Sequence, residues 1–249
     1  MKQENNKNTT IENVSNTDNT PIIEVIDARK IYKVGNEKVL ALDGVSFTIN
    51  KGDFCCLLGS SGSGKSTLLN IMAGIEKITS GQVFIKGQEV TKMGENKLAK
   101  FRQKYLGFVF QAYNLVNSLT AQENVEMPMI FKEIPSKKRA AKAREMLIKV
   151  GLKERIKHKP SHMSGGQQQR VGIARAFVAD PEVVFADEPT GNLDSKTSEE
   201  IMDIIKQMAK DKNQTIVMVT HDPTMTRYAN KVIEIHDGKL ISIKEGEIH

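Results

Sequence analysis

A glycine- and serine-rich segment carries the most informative chemistry in the sequence. It reads Gly59-Ser60-Ser61-Gly62-Ser63-Gly64-Lys65-Ser66, which fits the spacing G-x-x-x-x-G-K-[ST]. Its glycines allow dihedral angles that turn successive backbone N–H groups inward, so the loop can form an anion-binding nest. Lys65 adds a full charge that can reach the β- and γ-phosphates of a nucleotide, and Ser66 offers a hydroxyl group to Mg²⁺. The segment therefore predicts a triphosphate site.

The flanking residues favour phosphate binding over a flexible glycine- and serine-rich turn. Phe54 to Leu58 form a short apolar run that predicts a strand buried on both faces. Ser66 to Ala73 predict a helix that stops at Gly74, and a helix N-terminus carries about half a positive charge. No third glycine follows Gly62 and Gly64 at the required spacing, which excludes a dinucleotide-binding fingerprint.

Two adjacent carboxylates supply a second candidate site. Asp187 and Glu188 follow the apolar run Val183 to Ala186, which predicts another buried strand. In a phosphate-binding α/β sheet the carboxyl end of a strand faces the ligand crevice. Asp187 can hold Mg²⁺ through water, and Glu188 can take a proton from an attacking water, a step worth roughly 10²–10⁴-fold in rate. The alternative, an exposed acid at a strand end, is weakened by the nearby Lys65 motif.

The elements that must position these residues follow an α/β pattern. Further strands are expected at Ile22 to Ile26, at Val45, Phe47 and Ile49, and at Ile216 to Val219. A helix is expected between the last two buried strands, because Ile201, Ile204, Ile205 and Met208 recur at helical spacing. Buried strands that alternate with amphipathic helices predict an α/β fold with a mainly parallel sheet.

The chain is expected to form one domain after a polar tail. Residues 1–20 hold many asparagines and threonines without periodicity, which predicts a disordered tail. The domain is expected over residues 21–245, with a core at about 21–87 and 165–245 and an inserted helical subdomain at about 88–164. Ser136 to Val150 predict a basic helix in this insert, which is either a solvated face or a contact with acidic groups or lipid head groups.

Composition excludes several classes of protein. Charged residues make up 27% of the chain, and no apolar run approaches the roughly 18–20 residues of a spanning helix. The first residues do not show the basic segment followed by an apolar stretch that would predict a secretory signal. Cys55 and Cys56 are expected to be reduced core residues, because neighbours on a strand point to opposite faces. The net charge of +6 suits a polyanionic ligand, an acidic partner or an anionic membrane surface without choosing among them.

Further motifs resemble those of the ATP-binding subunits of ABC transporters. His162 to Arg170 contain Ser164-Gly165-Gly166-Gln167 and are similar to the family's signature motif, with Met163 where leucine is usual. Other elements resemble the Q-loop glutamine (Gln111), the D-loop (Asn192-Leu193-Asp194), the switch histidine (His221) and the aromatic residue that stacks on adenine (Tyr32). All of these elements stand in the family's order, and they extend over nearly the whole expected domain.

This resemblance implies a fold, cofactors and a set of site residues. The fold would be a P-loop NTPase (RecA-like) core with a mainly parallel sheet, an N-terminal antiparallel β subdomain and an inserted helical subdomain. The cofactors would be ATP and Mg²⁺. The implied nucleotide contacts are Tyr32, Gly59, Ser60, Ser61, Gly62, Ser63, Gly64, Lys65, Ser66, Thr67, Gln111, Ser164, Gly165, Gly166, Gln167 and Asp194. The implied metal ligands are Ser66, Gln111 and Asp187, and the implied catalytic residues are Glu188, His221 and Lys65.

The signature segment also implies a dimer. Ser164 is a good N-cap, Gly165 and Gly166 allow a close backbone approach, and a helix is expected from Gln167 to Val178. In the family this second helix N-terminus faces the γ-phosphate held by the other subunit. The implied partners are therefore ATP, a second copy of the chain and a separate transmembrane permease, at the cytoplasmic face of a membrane and without nucleic acid.

The sequence narrows the resemblance to one branch and leaves two alternatives open. The segment Phe185 to Asp194 is similar to that of the macrolide-export (MacB) and lipoprotein-release (LolD) ATPases. One alternative is a non-transporting signalling ATPase like the cell-division protein FtsE. The other is a soluble ABC ATPase that acts on DNA or ribosomes, which the single nucleotide unit and the lack of a long coiled-coil insertion disfavour.

Overall fold

The computed structural model describes residues 21–246, so the expected disordered tail at residues 1–20 lies outside the described part. The strands are β1 (Pro21–Val34), β2 (Glu37–Asn50), β3 (Phe54–Leu58), β4 (Ser80–Ile85), β5 (Gln88–Glu89), β6 (Leu106–Phe110), β7 (Val183–Asp187), β8 (Thr215–Thr220), β9 (Lys231–His236) and β10 (Lys239–Glu245). The α-helices are α1 (Lys65–Met72), α2 (Glu95–Tyr105), α3 (Ala121–Phe131), α4 (Ser136–Lys149), α5 (Gly165–Phe177) and α6 (Ser195–Asp211). Single 3₁₀ segments lie at Val90–Lys92, Lys153–Arg155, Pro160–His162 and Pro223–Tyr228.

A six-stranded sheet in the order β10-β9-β3-β8-β7-β6 forms the centre of the molecule. The strands from β9 to β6 run parallel, and only β10 is antiparallel to its neighbour. The buried apolar runs of β3, β7 and β8 explain their central positions, because a strand covered on both faces needs apolar side chains throughout. The predicted α/β fold with a mainly parallel sheet is confirmed.

The register of these strands brings the predicted site residues to one edge of the sheet. Leu58 at the end of β3 pairs with Thr220 at the end of β8. Asp187 at the end of β7 pairs with Val219. Because parallel strands end at the same edge, the segments that follow β3, β7 and β8 meet there. These three segments carry the Lys65 loop, Glu188 and His221.

The N-terminal strands form a separate four-stranded antiparallel sheet in the order β2-β1-β4-β5. Val45, Phe47 and Ile49 are buried at alternating positions of β2, as their spacing predicted. The buried side of this sheet packs in one cluster with α1 and with Cys55 of β3, whereas Cys56 lies in the cluster on the other side. Both cysteines are free and buried, so the prediction for them is confirmed.

The middle of the chain departs from the expected helical block in one respect. Residues 88–164 do contain α2, α3 and α4, but β6 pairs with β7 and belongs to the central sheet. The expectation that helices replace buried strands throughout this block is therefore wrong at β6. Tyr105 ends α2 and Leu106 begins β6 without a loop, so no turn signal separates the two elements. The division into a core and an inserted subdomain stays a prediction.

The helices that the sequence predicted are present with small shifts at their ends. The helix expected from Ser66 is α1, and the one expected from Ser136 is α4. The helix expected from Gln167 begins two residues earlier, at Gly165. Within residues 21–246, none of the helices combines the length and the apolar character that crossing a bilayer would require.

Candidate active site

The loop between β3 and α1 has the geometry of an anion-binding nest. Gly62 and Gly64 have φ angles of 81° and 99°, which favour glycine. A Cβ at Gly59 would lie 2.1 Å from the carbonyl oxygen of Ile235, so the backbone passes too close for a side chain. Gly64 is the N-cap of α1, and because glycine has no side chain, it forms no capping hydrogen bond with the first N–H groups of the helix. These groups remain available to a phosphate.

Lys65 lies inside this loop with only 4% of its surface exposed. Its Nζ donates to the carbonyl oxygen of Ser60 at 2.7 Å and to Oγ of Ser63 at 3.4 Å. Burial lowers the pKa of Lys65, and the charges of Glu188 and Asp187 oppose that effect. The ammonium group is therefore held near two carboxylates in a partly desolvated pocket, where a charge interacts more strongly than in water.

Ser66 and Asp187 form the part of the site that could hold a metal ion. Oγ of Ser66 donates to Oδ1 of Asp187 at 3.2 Å. Burial is the largest influence on Asp187 and raises its pKa, whereas the hydrogen bond from Ser66 lowers it. A hydroxyl and a carboxylate oxygen suit Mg²⁺, which keeps several ligands from water and phosphate. Among the described residues no three His, Cys, Asp or Glu side chains form a metal group, so phosphate and water oxygens would have to complete the shell.

The side chains of Gln111 and Glu188 both lie beside Gly191. A Cβ built on Gly191 would meet Nε2 of Gln111 at 2.6 Å and Oε2 of Glu188 at 3.3 Å. The side-chain amide of Asn192 donates to the carbonyl oxygen of Gln111 at 3.0 Å. The structure thus brings Gln111 close to the carboxylate of Glu188, but it gives no contact from Gln111 to Ser66 or Asp187.

Glu188 is held in an unusual backbone conformation beside His221. Its φ angle is 43°, and its N–H donates to the carbonyl oxygen of Val219 at 3.0 Å. Nδ1 of His221 lies 2.9 Å from Oε1 of Glu188. Strained residues of this kind persist where surrounding contacts fix them, often at active sites. Both side chains line a cavity of about 360 Å³, where the carboxylate can reach a water molecule.

Tyr32 lies close to the phosphate loop, although it comes from the other sheet. Its hydroxyl group is 3.3 Å from Oγ1 of Thr67 in the first turn of α1. Burial is the main reason that the pKa of Tyr32 is raised. The structure therefore brings this predicted base-stacking residue to the helix that begins the phosphate site.

The signature residues form a second helix N-terminus in another place. Oγ of Ser164 accepts from the N–H of Gln167 at 3.3 Å, and the Gln167 side chain accepts from the N–H of Ser164 at 3.1 Å, which completes a capping box. A cavity of about 600 Å³ opens beside this helix end, and no residue of the Lys65 loop lines it. Asp194 also lines this cavity and caps α6 through the N–H of Thr197 at 3.0 Å. In one chain, therefore, the two helix N-termini do not share a cavity.

Known relatives decide the family. A profile of the ABC transporter family matches residues 42–191. The chain belongs to the ABC transporter family. An uncharacterised ABC transporter ATP-binding protein from Thermotoga maritima is 48% identical over 90% of this chain and 95% of its own length. The macrolide export ATP-binding/permease protein MacB of Salmonella typhimurium is 45% identical over 89% of this chain, which corresponds to 34% of the MacB length.

A solved structure agrees with this assignment. The ATP-binding cassette MJ0796, in a dimeric post-hydrolysis state with ADP and Pi, is 40% identical and superimposes with a TM-score of 0.85. The match covers 90% of this chain and 99% of that one. The predicted P-loop NTPase fold and the prediction of an ABC ATPase, the ATP-binding subunit of a transporter, are thereby confirmed. The individual site residues named from the sequence remain predictions.

The ABC cassette also contains supporting residues that sequence reasoning missed. Arg175 of α5 donates to the carbonyl oxygens of Asn114 at 2.5 Å and Tyr113 at 2.8 Å, two to three residues after Gln111. It therefore fixes a segment in which both of these residues have positive φ angles. The sequence contained a signal for this contact. Arg175 lies one helical turn after the apolar Val171, and a charged side chain on the apolar face of a helix needs a polar partner.

Gln169 is a second residue of this kind in the cassette. It is fully buried in α5, and its Nε2 donates to the carbonyl oxygen of Pro189 at 2.5 Å. This bond ties the signature helix to the turn that follows Glu188. No sequence pattern predicted it, because the contact joins two segments whose packing is set only by the tertiary fold.

Proposed function

We propose that this cassette hydrolyses Mg²⁺-ATP and drives a separate membrane permease of the macrolide-export or lipoprotein-release type. The observation that carries the hydrolytic part is the placement of Glu188 against His221, at the same sheet edge as Lys65 and Asp187. A base, an orienting group and a phosphate-binding cation at one edge suit the attack of water on a terminal phosphate.

Positioning and electrostatics account for the chemistry. Lys65, the N–H groups of the loop and the N-terminus of α1 bind and orient the triphosphate. Ser66 and Asp187 would hold the metal ion, and Gln111 would approach it from the side of Gly191. When bound, Mg²⁺ supplies charge that offsets the charge of the phosphate oxygens. Glu188 takes the proton of the attacking water, and Nδ1 of His221 keeps the carboxylate in place.

The active form is proposed to be a head-to-tail homodimer. Ser164 heads a capped helix N-terminus that is suited to an anion, yet it opens on a cavity away from the Lys65 loop of its own chain. Two chains related by a two-fold axis can place Ser164 of one copy against the loop of the other. The MJ0796 cassette is dimeric, which supports the association of two copies.

The partner is proposed to be a permease that inserts an apolar segment into a surface groove. The groove has a volume of about 280 Å³ and includes Leu106, Phe108, Phe110 and Phe131, with Phe131 60% exposed. Apolar surface of this kind marks interaction sites. Phe110 directly precedes Gln111, so a segment bound there would sense the nucleotide site. In this proposal the cassette binds at the cytoplasmic face of the membrane through the permease.

Glu188→Gln tests the assignment of the base. The variant should bind ATP with nearly natural affinity, lose about 10²–10⁴-fold in hydrolysis rate and accumulate as an ATP-bound dimer. Phosphate release and size-exclusion chromatography with ATP measure these effects. Glu145→Gln removes an exposed carboxylate of α4 and should leave both unchanged. Hydrolysis near the natural rate in Glu188→Gln would remove Glu188 from this role.

A further inference from the structure

A cluster of contacts surrounds the ring of Tyr32. Nζ of Lys30 lies 4.8 Å from the centroid of this ring. The same ammonium group pairs with Oε1 of Glu76 at 2.9 Å and donates to the carbonyl oxygen of Lys77 at 2.6 Å. Lys30 therefore lies against the aromatic ring, within the range of a cation–π contact, while two oxygen atoms fix its position.

The hydroxyl end of Tyr32 is held as well. Oγ1 of Thr67 lies 3.3 Å from this hydroxyl. Burial, and after it the neighbouring Glu76, raises the pKa of Tyr32. Glu76 therefore pairs with the cation on the ring and acts on the phenol at its end.

Partial burial makes this cluster more rigid than a surface ion pair. The side chain of Lys30 is 13% exposed and that of Glu76 is 24% exposed. Charges in such surroundings interact more strongly than charges in bulk water. Because Lys30 lies over one face of the ring, a nucleotide base that stacks on Tyr32 must take the opposite face. The ring is therefore oriented before any base arrives.

We propose that Lys30 and Glu76 are positioning residues that fix the Tyr32 ring and so set the base-dependent part of the ATP affinity. This inference rests on the stacking of adenine on Tyr32 that the resemblance to the ABC family implies. A side chain that is already ordered spares the complex the cost of immobilising it on binding. Loss of this ordering should weaken ATP binding by about 2- to 12-fold, without changing the contacts to the phosphates.

Calorimetric titrations of the full chain with ATP and with inorganic tripolyphosphate separate the base from the phosphates. Lys30→Met should weaken ATP binding by about 2- to 12-fold and leave the tripolyphosphate affinity unchanged. Lys30→Arg keeps the cation and should restore most of the ATP affinity. Lys33→Met removes an exposed lysine of the same strand and should change neither affinity. Thermal unfolding verifies that each variant is folded.

Two results would overturn the inference. One is an unchanged ATP affinity in Lys30→Met. The other is an equal loss for ATP and tripolyphosphate, since that loss would come from the phosphate contacts. Tyr32→Leu separates this inference from the proposed stacking. If Tyr32→Leu leaves the ratio of the two affinities unchanged, the base binds elsewhere. If Tyr32→Leu lowers the affinity for ATP relative to that for tripolyphosphate while Lys30→Met does not, only the positioning role of Lys30 and Glu76 fails.

Discussion

Lys65 shows how a single residue depends on its surroundings. Its ammonium group lies within the loop, bonded to Ser60 and Ser63, with the carboxylates of Asp187 and Glu188 nearby. Incoming phosphate oxygens would replace the bonds within the loop by charge-assisted bonds, which are stronger. The buried cation is thus a preorganised group that can bind a terminal phosphate.

Lys65→Ala should weaken nucleotide binding. Hydrogen bonds to charged groups contribute about 1.5–3 kcal/mol each, so the dissociation constant of ATP should rise by roughly 10- to 150-fold. Fluorescence competition titrations measure this change. Lys137→Ala removes an exposed lysine of α4 and serves as the control. An unchanged affinity in Lys65→Ala would show that this side chain does not bind the phosphates.

At the residue scale, sequence reasoning identified the local motifs and missed the long-range contacts. Gly59 to Ser66 could be interpreted directly, because the nest, the lysine and the following helix are consecutive. The contact of Lys30 with Glu76 could not be predicted, because it joins β1 to the segment after α1. Such pairs depend on how a strand packs against a segment distant in sequence, and a single sequence does not specify that packing.

At the level of elements, β6 and α5 approach each other so closely that the point of contact has no room for a side chain. A Cβ at Gly107 of β6 would lie 2.4 Å from the carbonyl oxygen of Ala176 in α5. Gly107 and Ala176 both lie within regular elements, so neither residue can move without disturbing its strand or helix. Sequence reasoning placed α5 within two residues, because Ser164 is a recognisable cap. It missed β6 as a core strand, since the preceding helix α2 runs into it directly.

Gly107→Ala should destabilise the fold. Overpacking of this kind typically costs about 1–3 kcal/mol, because β6 must move away from α5. Urea unfolding followed by circular dichroism measures the free energy of unfolding. Gly246→Ala is the control, since a Cβ there meets nothing within 4 Å and the residue follows the last strand. Equal stability of the two variants would contradict the packing described for β6.

For the whole molecule, the central feature is the separation of two anion-directed helix ends. The Lys65 loop lies at the carboxyl edge of the parallel sheet, whereas Ser164 opens on a cavity that no residue of this loop lines. The sequence predicted both helix ends and the class of fold. It could not predict the order β10-β9-β3-β8-β7-β6, because pairings between distant strands are decided by tertiary contacts. In the proposed dimer, the second helix end of one copy would face the nucleotide held by the other copy.

The native cysteines should not interfere with a crosslinking test of this association. Cys55 and Cys56 are both buried, and burial raises the pKa of Cys56 to about 12 and also raises that of Cys55. Thiolate is the reactive form, so neither residue should compete for a crosslinker. A cysteine introduced at an exposed position can therefore be followed alone.

The most direct measurement mixes two single-cysteine variants, Ser61→Cys and Ser164→Cys, both in the Glu188→Gln background. With ATP and a short thiol crosslinker, the account predicts a covalent dimer that contains one chain of each variant. Without ATP, or with Ser164→Cys alone, that dimer should be absent. Absence of the mixed dimer with ATP bound would contradict the proposed clamp of one chain's loop against the second chain's helix end.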